Sequence, residues 1–191
     1  SSDWDARNEY RTRSVLAARS LVGLGEAGYG SVGAALIASH FPSRMRGALL
    51  AVLKTLELQA GDEVMLQAFT CVAVPAAVEW AGGTPRYVDI DPRTYTIAVA
   101  DLEKKITPRS RAVIVQHTFG YPADLEAVIK LARAKGLFVI EDCAHAIETT
   151  FRGSQAGNFG AFGCFSFYAT KNMTTAEGGM VLAKREEDIA R

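Results

Sequence analysis

The chain has 191 residues, of which 49% are hydrophobic, and its 21 Lys and Arg residues balance its 21 Asp and Glu residues. This composition is typical of a soluble α/β protein and gives no indication of a nucleic-acid partner or an anionic membrane surface. Three widely spaced cysteines without a CxxC pair, Cys71, Cys143 and Cys164, argue against a disulfide framework or a zinc site. We therefore expect reduced thiols, no metal and a cytoplasmic location. The acidic, polar N-terminus argues against a secretory signal peptide.

Residues 1–45 differ in composition from the rest of the chain, being dense in Gly, Ala and Ser, with Arg19 and Glu26 among apolar residues. Such density suits helices that pack closely in a membrane, where buried charges are rare and usually functional. Residues 23–28 form a GxGxxG pattern. Without a preceding strand, this pattern is more typical of a small-residue helix than of a dinucleotide site.

Residues 14–52 include "RSLVGLGEA" and "ALIASHFPSRMRGALLAV". They resemble part of one transmembrane helix and the following cytoplasmic loop of a major facilitator superfamily transporter. Residues 53–191 contain no run long enough to span a membrane, so we expect neither a transporter nor a membrane partner. The resemblance is either accidental or marks a composite of two unrelated pieces. We favour the composite, with a helical N-terminal segment at residues 1–45 and a second part at residues 46–191.

From Gly61 onward, short apolar runs alternate with helical patterns. Strands are predicted at residues 63–69, 85–91, 111–117, 137–142 and 164–168, and helices at residues 75–83, 99–106 and 124–136. This alternation predicts an α/β fold in which a mostly parallel sheet lies between helices. Ligands of such sheets bind outside the carboxyl ends of the strands. His117 follows one of these strands, where it either closes the crevice or satisfies a hydrogen bond in the core.

Two predicted strands are followed by residues with distinctive chemistry. Asp142 ends one strand and precedes His145, and Lys171 follows another. Two ordinary roles are alternatives here: Asp142 as the N-cap of a helix, and Lys171 as a solubilising residue at a strand end. If both strands lie in one sheet, however, the two side chains face one cavity from opposite sides. Pyridoxal phosphate (PLP) needs this pair, because a lysine forms its Schiff base and a carboxylate keeps its pyridine nitrogen protonated.

Four stretches carry a resemblance to a known family, in the order "GDEVMLQAFTCVAVPAAVEWAGGTPRYVDID", "HTFGYPADLEAV", "VIEDCAHAIETTFRG" and "GAFGCFSFYATKNMTTAEGGM". Together they resemble the DegT/DnrJ/StrS sugar aminotransferases, over about residues 46–191. The resemblance implies the large domain of a fold-type I PLP-dependent transferase and a homodimer. It also implies that the C-terminal small domain of the family is absent from this chain.

The resemblance assigns roles to individual residues. It gives Lys171 the Schiff base and the catalytic proton transfers, and it gives Asp142 the pyridine nitrogen. His145 matches the position that approaches the ring hydroxyl or the ring face, and Ser166 matches a phosphate ligand.

Three further positions match the family pattern less closely. Arg46 and Gly47 occupy the place of the first phosphate loop, although the residues there differ from the usual family loop. Cys71 stands where the family often has a ring-stacking aromatic residue. The resemblance therefore implies that these three residues also contact the cofactor.

The implied reaction transfers an amino group from glutamate or another amino acid to a keto sugar that is commonly nucleotide-linked. Two other readings stay open. The chain is a PLP-binding relative without catalysis, or it is an inactive composite or membrane-associated fragment.

Overall fold

A computed structural model describes residues 47–175 and 178–184 of the chain. The strands in these residues are β1 Glu63–Gln67, β2 Thr84–Val88, β3 Ser110–Gln116, β4 Phe138–Asp142, β5 Thr150–Phe151, β6 Ser154–Gln155, β7 Phe162–Ser166 and β8 Gly179–Ala183. Six of them form one sheet in the order β2-β1-β3-β4-β7-β8, and β5 and β6 form a separate two-stranded ribbon.

The α-helices in the same residues are α1 Ala48–Thr55, α2 Ala73–Ala81, α3 Val99–Lys105 and α4 Leu125–Lys135. A short 3-10 helix spans Thr118–Gly120. The ends of α4 follow from local chemistry. The Asp124 side chain accepts a hydrogen bond from the Ala127 N–H at 3.2 Å, and Gly136 ends the helix in the left-handed conformation.

Alternation along the buried strands places the two larger apolar clusters of the described core on opposite faces of the sheet. In β1, Val64 and Leu66 pack with α1 and α2, whereas Met65 packs with α3 and α4. Both faces of the sheet are therefore covered by helices, as the sequence predicts.

The predicted mostly parallel sheet is confirmed. Strands β2, β1, β3, β4 and β7 are parallel neighbours, and only β8 runs antiparallel, beside β7. A parallel neighbour needs a crossover of about a dozen residues or more, usually a helix. The connection between β7 and β8 carries Lys171 and no helix in its described residues, so the chain turns back beside the strand it has just left.

Helix α1 lies within residues 46–191, which the family resemblance covers, but its residue pattern did not predict a helix because its sequence overlaps the transporter-like stretch. It packs Leu50, Val52 and Leu53 into the core beside the sheet. The rest of that stretch lies outside the described residues, so the boundary after residue 45 stays a prediction. No helix in residues 47–175 or 178–184 has the length and apolar character that crossing a membrane requires.

Gly163 in β7 lies directly against the backbone of Gly157. A Cβ atom at Gly163 would lie 2.6 Å from the Gly157 Cα and closer still to its carbonyl oxygen. Because no side-chain rotation relieves a backbone contact, we expect Gly163→Ala to lower the free energy of unfolding by at least about 2 kcal/mol. Urea unfolding measures the change. Gly47→Ala is the control, since nothing lies within 4 Å of a Cβ there. Equal midpoints for wild type and Gly163→Ala would contradict this packing.

Candidate functional site

The carboxyl ends of β4 and β7 bring two of the predicted site residues to one face of the sheet. Ile140 of β4 and Cys164 of β7 both belong to the cluster under α1 and α2. Side chains two residues apart in a strand share a face, so Asp142 and Ser166 end their strands on that same face. Asp142 pairs with Cys164 in the parallel ladder, which aligns the two strand ends.

Asp142 is a buried acid, with 7% of its surface exposed. Its Oδ1 accepts a hydrogen bond from the Ala144 N–H at 3.0 Å. No helix follows in the described structure, where residues 143–149 form turns, so Asp142 caps a turn and not a helix. Burial raises the pKa of Asp142, and the Ala144 N–H, His145 and Lys171 lower it by smaller amounts. An ionised Asp142 is therefore costly unless a cationic partner is supplied.

His145 lies beside Asp142 with one ring nitrogen unused. Its ring stacks on that of Phe119, with centroids 5.8 Å apart and planes 11° apart. Nδ1 is buried and has no hydrogen-bond partner within the described part of the chain. Burial, and then the charge of Lys171, lower the pKa of His145, while Asp142 raises it. His145 is thus favoured as a neutral imidazole with a free polar atom.

Lys171 lies on the loop between β7 and β8 and is partly buried. Its backbone N–H donates to the Tyr168 carbonyl at 2.9 Å. The base of the loop is held at Phe167, whose N–H donates to the Gly178 carbonyl and whose carbonyl accepts from the Thr175 N–H. The charge of Lys171 lowers the pKa of both Asp142 and His145. The fold therefore brings Asp142, His145 and Lys171 to one end of the sheet.

Strand β8 connects Ser166 to the first turn of α1, which follows Gly47. Ser166 pairs with Gly179 of β8. A Cβ at Gly179 would lie 3.5 Å from the Ala48 Cβ and 3.6 Å from the Ala48 backbone nitrogen, so the first turn of α1 comes close to this strand pair. Gly47 precedes α1, which has no side-chain cap. A hydroxyl beside an uncapped helix N-terminus suits an anion. Arg46, the neighbouring candidate, lies outside the described residues.

Cys71 is exposed, just before α2. The loop that carries it is fixed by Thr70, whose hydroxyl donates to Gln116 Oε1 at 2.5 Å. Phe69 is 44% exposed and packs edge-on against Phe119, with ring centroids 6.1 Å apart. Because Phe119 also stacks on His145, an aromatic surface continues from this loop to the site. A ring-stacking role for Cys71 stays a prediction.

His117 forms a buried pair with Glu141, a residue to which the sequence assigned no role. His117 Nε2 lies 3.1 Å from Glu141 Oε2, and both side chains are fully buried. His117 therefore satisfies a hydrogen bond in the core, which was one of its two predicted roles. The sequence did offer one indication that Glu141 has a partner: it lies in an apolar strand, where burying an unpaired carboxylate would destabilise the fold.

His117, Glu141 and Cys143 offer three possible metal ligands within 4.8 Å of one another. The His117 and Glu141 atoms are already hydrogen-bonded to each other and to backbone N–H groups. Burial, with Glu141 and Asp142 nearby, raises the pKa of the Cys143 thiol, so the thiolate that binds metals is disfavoured. This donor set suits a hydrogen-bonded core better than a metal.

Comparison with known proteins gives consistent matches over the same part of the chain. Residues 46–191 match the DegT/DnrJ/EryC1/StrS aminotransferase family. A UDP-N-acetyl-3-dehydro-alpha-D-glucosamine 3-aminotransferase from Acidithiobacillus ferrooxidans is 45% identical over 141 residues, which cover 73% of this chain and 38% of that protein. A GDP-perosamine synthase from Escherichia coli O157:H7 is 42% identical over 135 residues, covering 71% of this chain and 37% of that protein.

Solved structures agree with these matches. A Streptococcus pneumoniae protein assigned as a sugar aminotransferase has been solved in PLP and PMP forms. Its PLP form has a TM-score of 0.69 and 30% identity, covering 75% of this chain and 41% of that one. The chain spans less than two fifths of the length of the two curated relatives.

Proposed function

Because the chain belongs to the DegT/DnrJ/EryC1/StrS aminotransferase family, whose members are PLP-dependent enzymes of fold-type I, we propose that it is a sugar aminotransferase. The proposed reaction moves an amino group from an amino acid, glutamate, to a keto sugar that is commonly nucleotide-linked. One relative is named for a UDP-linked dehydro sugar and another for GDP-linked perosamine, which supports this substrate class and a role in amino-sugar biosynthesis.

The observation that carries the proposal is the grouping of Asp142, His145 and Lys171 at the carboxyl end of the sheet. The residues fit PLP. Asp142 is a buried acid whose ionised form needs a cation, and His145 has a buried Nδ1 without a partner among the described residues. The protonated pyridine nitrogen and the ring hydroxyl of PLP would satisfy these two needs. Ser166 and the backbone at Gly47 would hold the phosphate.

When bound, PLP supplies an electron sink that stabilises negative charge on the amino-donor carbon. The chain's own residues then orient the cofactor and move protons. Asp142 keeps the ring-nitrogen proton in place through a charge-assisted hydrogen bond. Lys171 Nζ would hold the cofactor in the resting protein. Once freed, the same amine would move the proton of the amino-donor Cα as a general base and acid. His145, as a neutral imidazole, adds no second positive charge beside Lys171.

We further propose a cytoplasmic homodimer, as the family resemblance implies. Phe119 is 74% exposed and Phe69 is 44% exposed beside the site. Large apolar side chains clustered at one edge are typical of surfaces that a partner covers. A second subunit over this edge would exclude water from the site.

The test is an absorbance titration of the purified 191-residue chain with PLP, followed by borohydride reduction and peptide mapping. We expect one reduced attachment, on Lys171, and conversion of the bound cofactor to its amine form when glutamate is added. Attachment without conversion would support the PLP-binding relative that does not catalyse transfer. A folded chain with no attachment at Lys171 would contradict the proposed function.

A further inference from the structure

Glu141 makes four hydrogen bonds although it lies fully buried between apolar strand neighbours. Its Oε1 accepts from the backbone N–H groups of Phe159 and Gly160, each at 2.7 Å. Its Oε2 accepts from the Gly157 N–H at 2.8 Å and from His117 Nε2 at 3.1 Å. These bonds lower the pKa of Glu141 despite the opposing and largest effect, which is burial. Glu141 is therefore an ionised carboxylate, and each of its two oxygens accepts two hydrogen bonds.

The same bonds fix the tautomer of His117. His117 Nδ1 accepts a hydrogen bond from the Ala123 N–H at 3.2 Å, so the ring proton lies on Nε2 and is donated to Glu141. The backbone of His117 also reaches the next strand, because its N–H donates to the Asp142 carbonyl at 3.1 Å. His117 thus links the Glu141 carboxylate to the backbone of Asp142.

Glu141 and Asp142 are consecutive residues of β4, so their side chains lie on opposite faces of the sheet. On its own face Glu141 holds residues 157–160, the loop that leads into β7. On the other face, β7 carries Ser166, and Asp142 stands at the end of β4. The carboxylate therefore ties together the end of β3, the end of β4 and the start of β7.

We propose that Glu141, with His117, is a positioning residue that fixes the backbone of Asp142 so that its carboxylate meets the ring nitrogen of the cofactor. This inference rests on the proposed function for the identity of the cofactor. Glutamine cannot replace Glu141 in this arrangement. It has one acceptor oxygen and one NH₂ group, and that NH₂ group would face donors already present at either position.

The test is a double-mutant cycle on the 191-residue chain, read as the dissociation constant for PLP. We expect Glu141→Gln to weaken PLP binding about 10-fold in the wild-type background and less than about 2-fold in the Asp142→Asn background. A role in folding alone would give equal losses in both backgrounds, and that result would overturn the proposal. Glu148→Gln is the matched control, since Glu148 is exposed in the same segment and should change neither value.

A second readout needs no cofactor. In the unliganded chain, we expect Glu141→Gln to shift the carboxyl ¹³C resonance of Asp142, and Glu148→Gln to leave it in place. An unmoved resonance would overturn the positioning role. A shifted resonance in a chain without PLP affinity would uphold the positioning role and instead overturn the proposed function. If Glu141→Gln does not fold, His117→Gln removes the Nδ1 acceptor and decides both readouts in the same way.

Discussion

Replacing Lys171 by alanine is expected to abolish the reducible attachment of PLP and to lower any amino transfer by at least about 10⁴-fold. The alanine removes the amine that holds the cofactor and the group that moves the donor proton, and general acid–base catalysis alone contributes about 10²–10⁴-fold. Lys171 is only partly buried and lies in a loop, so the fold should survive the change. Absorbance, borohydride reduction and peptide mapping measure the result.

Lys130→Ala is the matched control for this experiment. Lys130 is exposed on α4, on the other side of the sheet from Asp142, and its loss should leave the attachment unchanged. Retention of the wild-type absorbance spectrum and of a reducible attachment in Lys171→Ala would contradict the assignment of this lysine. Loss of both in Lys130→Ala would show that the assay reports general damage.

The Asp142→Asn variant is expected to weaken PLP binding by about 10- to 100-fold. A hydrogen bond to a charged group contributes about 1.5–3 kcal/mol, and about 1.4 kcal/mol corresponds to a factor of ten in affinity. Asparagine also fails to hold the ring nitrogen protonated, so amino transfer should fall further than binding does. A PLP titration measures the first effect, and the rate of cofactor conversion with glutamate measures the second.

The same variant should affect the stability of the unliganded chain in the opposite direction. Burial raises the pKa of Asp142 above its ordinary value of 3.8, so ionisation of the folded chain is unfavourable once the pH exceeds the unfolded pKa. Asp142→Asn removes this cost. We therefore expect a higher Tm than wild type at pH 7 and a smaller difference as the pH falls toward 3.8.

Asp124→Asn is the control for both measurements. Asp124 caps α4 through its side chain, and asparagine caps a helix about as well. This change should leave PLP affinity unchanged and should not raise the Tm at pH 7. Two results would contradict this description of Asp142 as a buried acid whose ionised form needs a cationic partner. One is an Asp142→Asn chain that is less stable than wild type at pH 7, and the other is an unchanged PLP affinity.

The candidate site was only partly predictable from residue types. Lys171, Asp142 and His145 were identified because each follows an apolar run that predicts a strand. It was a hypothesis that these strands share a sheet, because the residue pattern of a strand does not show which strand lies next to it. The structure makes β4 and β7 adjacent. It also brings Lys171 close enough for its charge to lower the pKa of both Asp142 and His145.

Helix α1 and strand β8 show where local pattern failed. Gly47 was a candidate only through the family resemblance, because the apolar, small-residue composition of the transporter-like stretch gave no clear helix pattern for α1. Strand β8 has an edge position with exposed Met180 and Val181, and it runs antiparallel to β7 after the Lys171 loop, which has no helix in its described residues. The hydrophobic pattern of the β8 residues predicts neither the edge position of this strand nor its direction.

The sequence by itself determined the order of strands β1–β4 and β7 and of helices α2–α4, and the residue types at the strand ends, because hydrophobic periodicity and turn chemistry are local properties. Only the tertiary structure decided which neighbours surround each of the two adjacent acids. Glu141 and Asp142 alternate across the sheet, and helices α1 and α2 cover the face of Asp142, whereas residues 157–160 and His117 enclose Glu141. Contacts between residues distant in the chain make that choice.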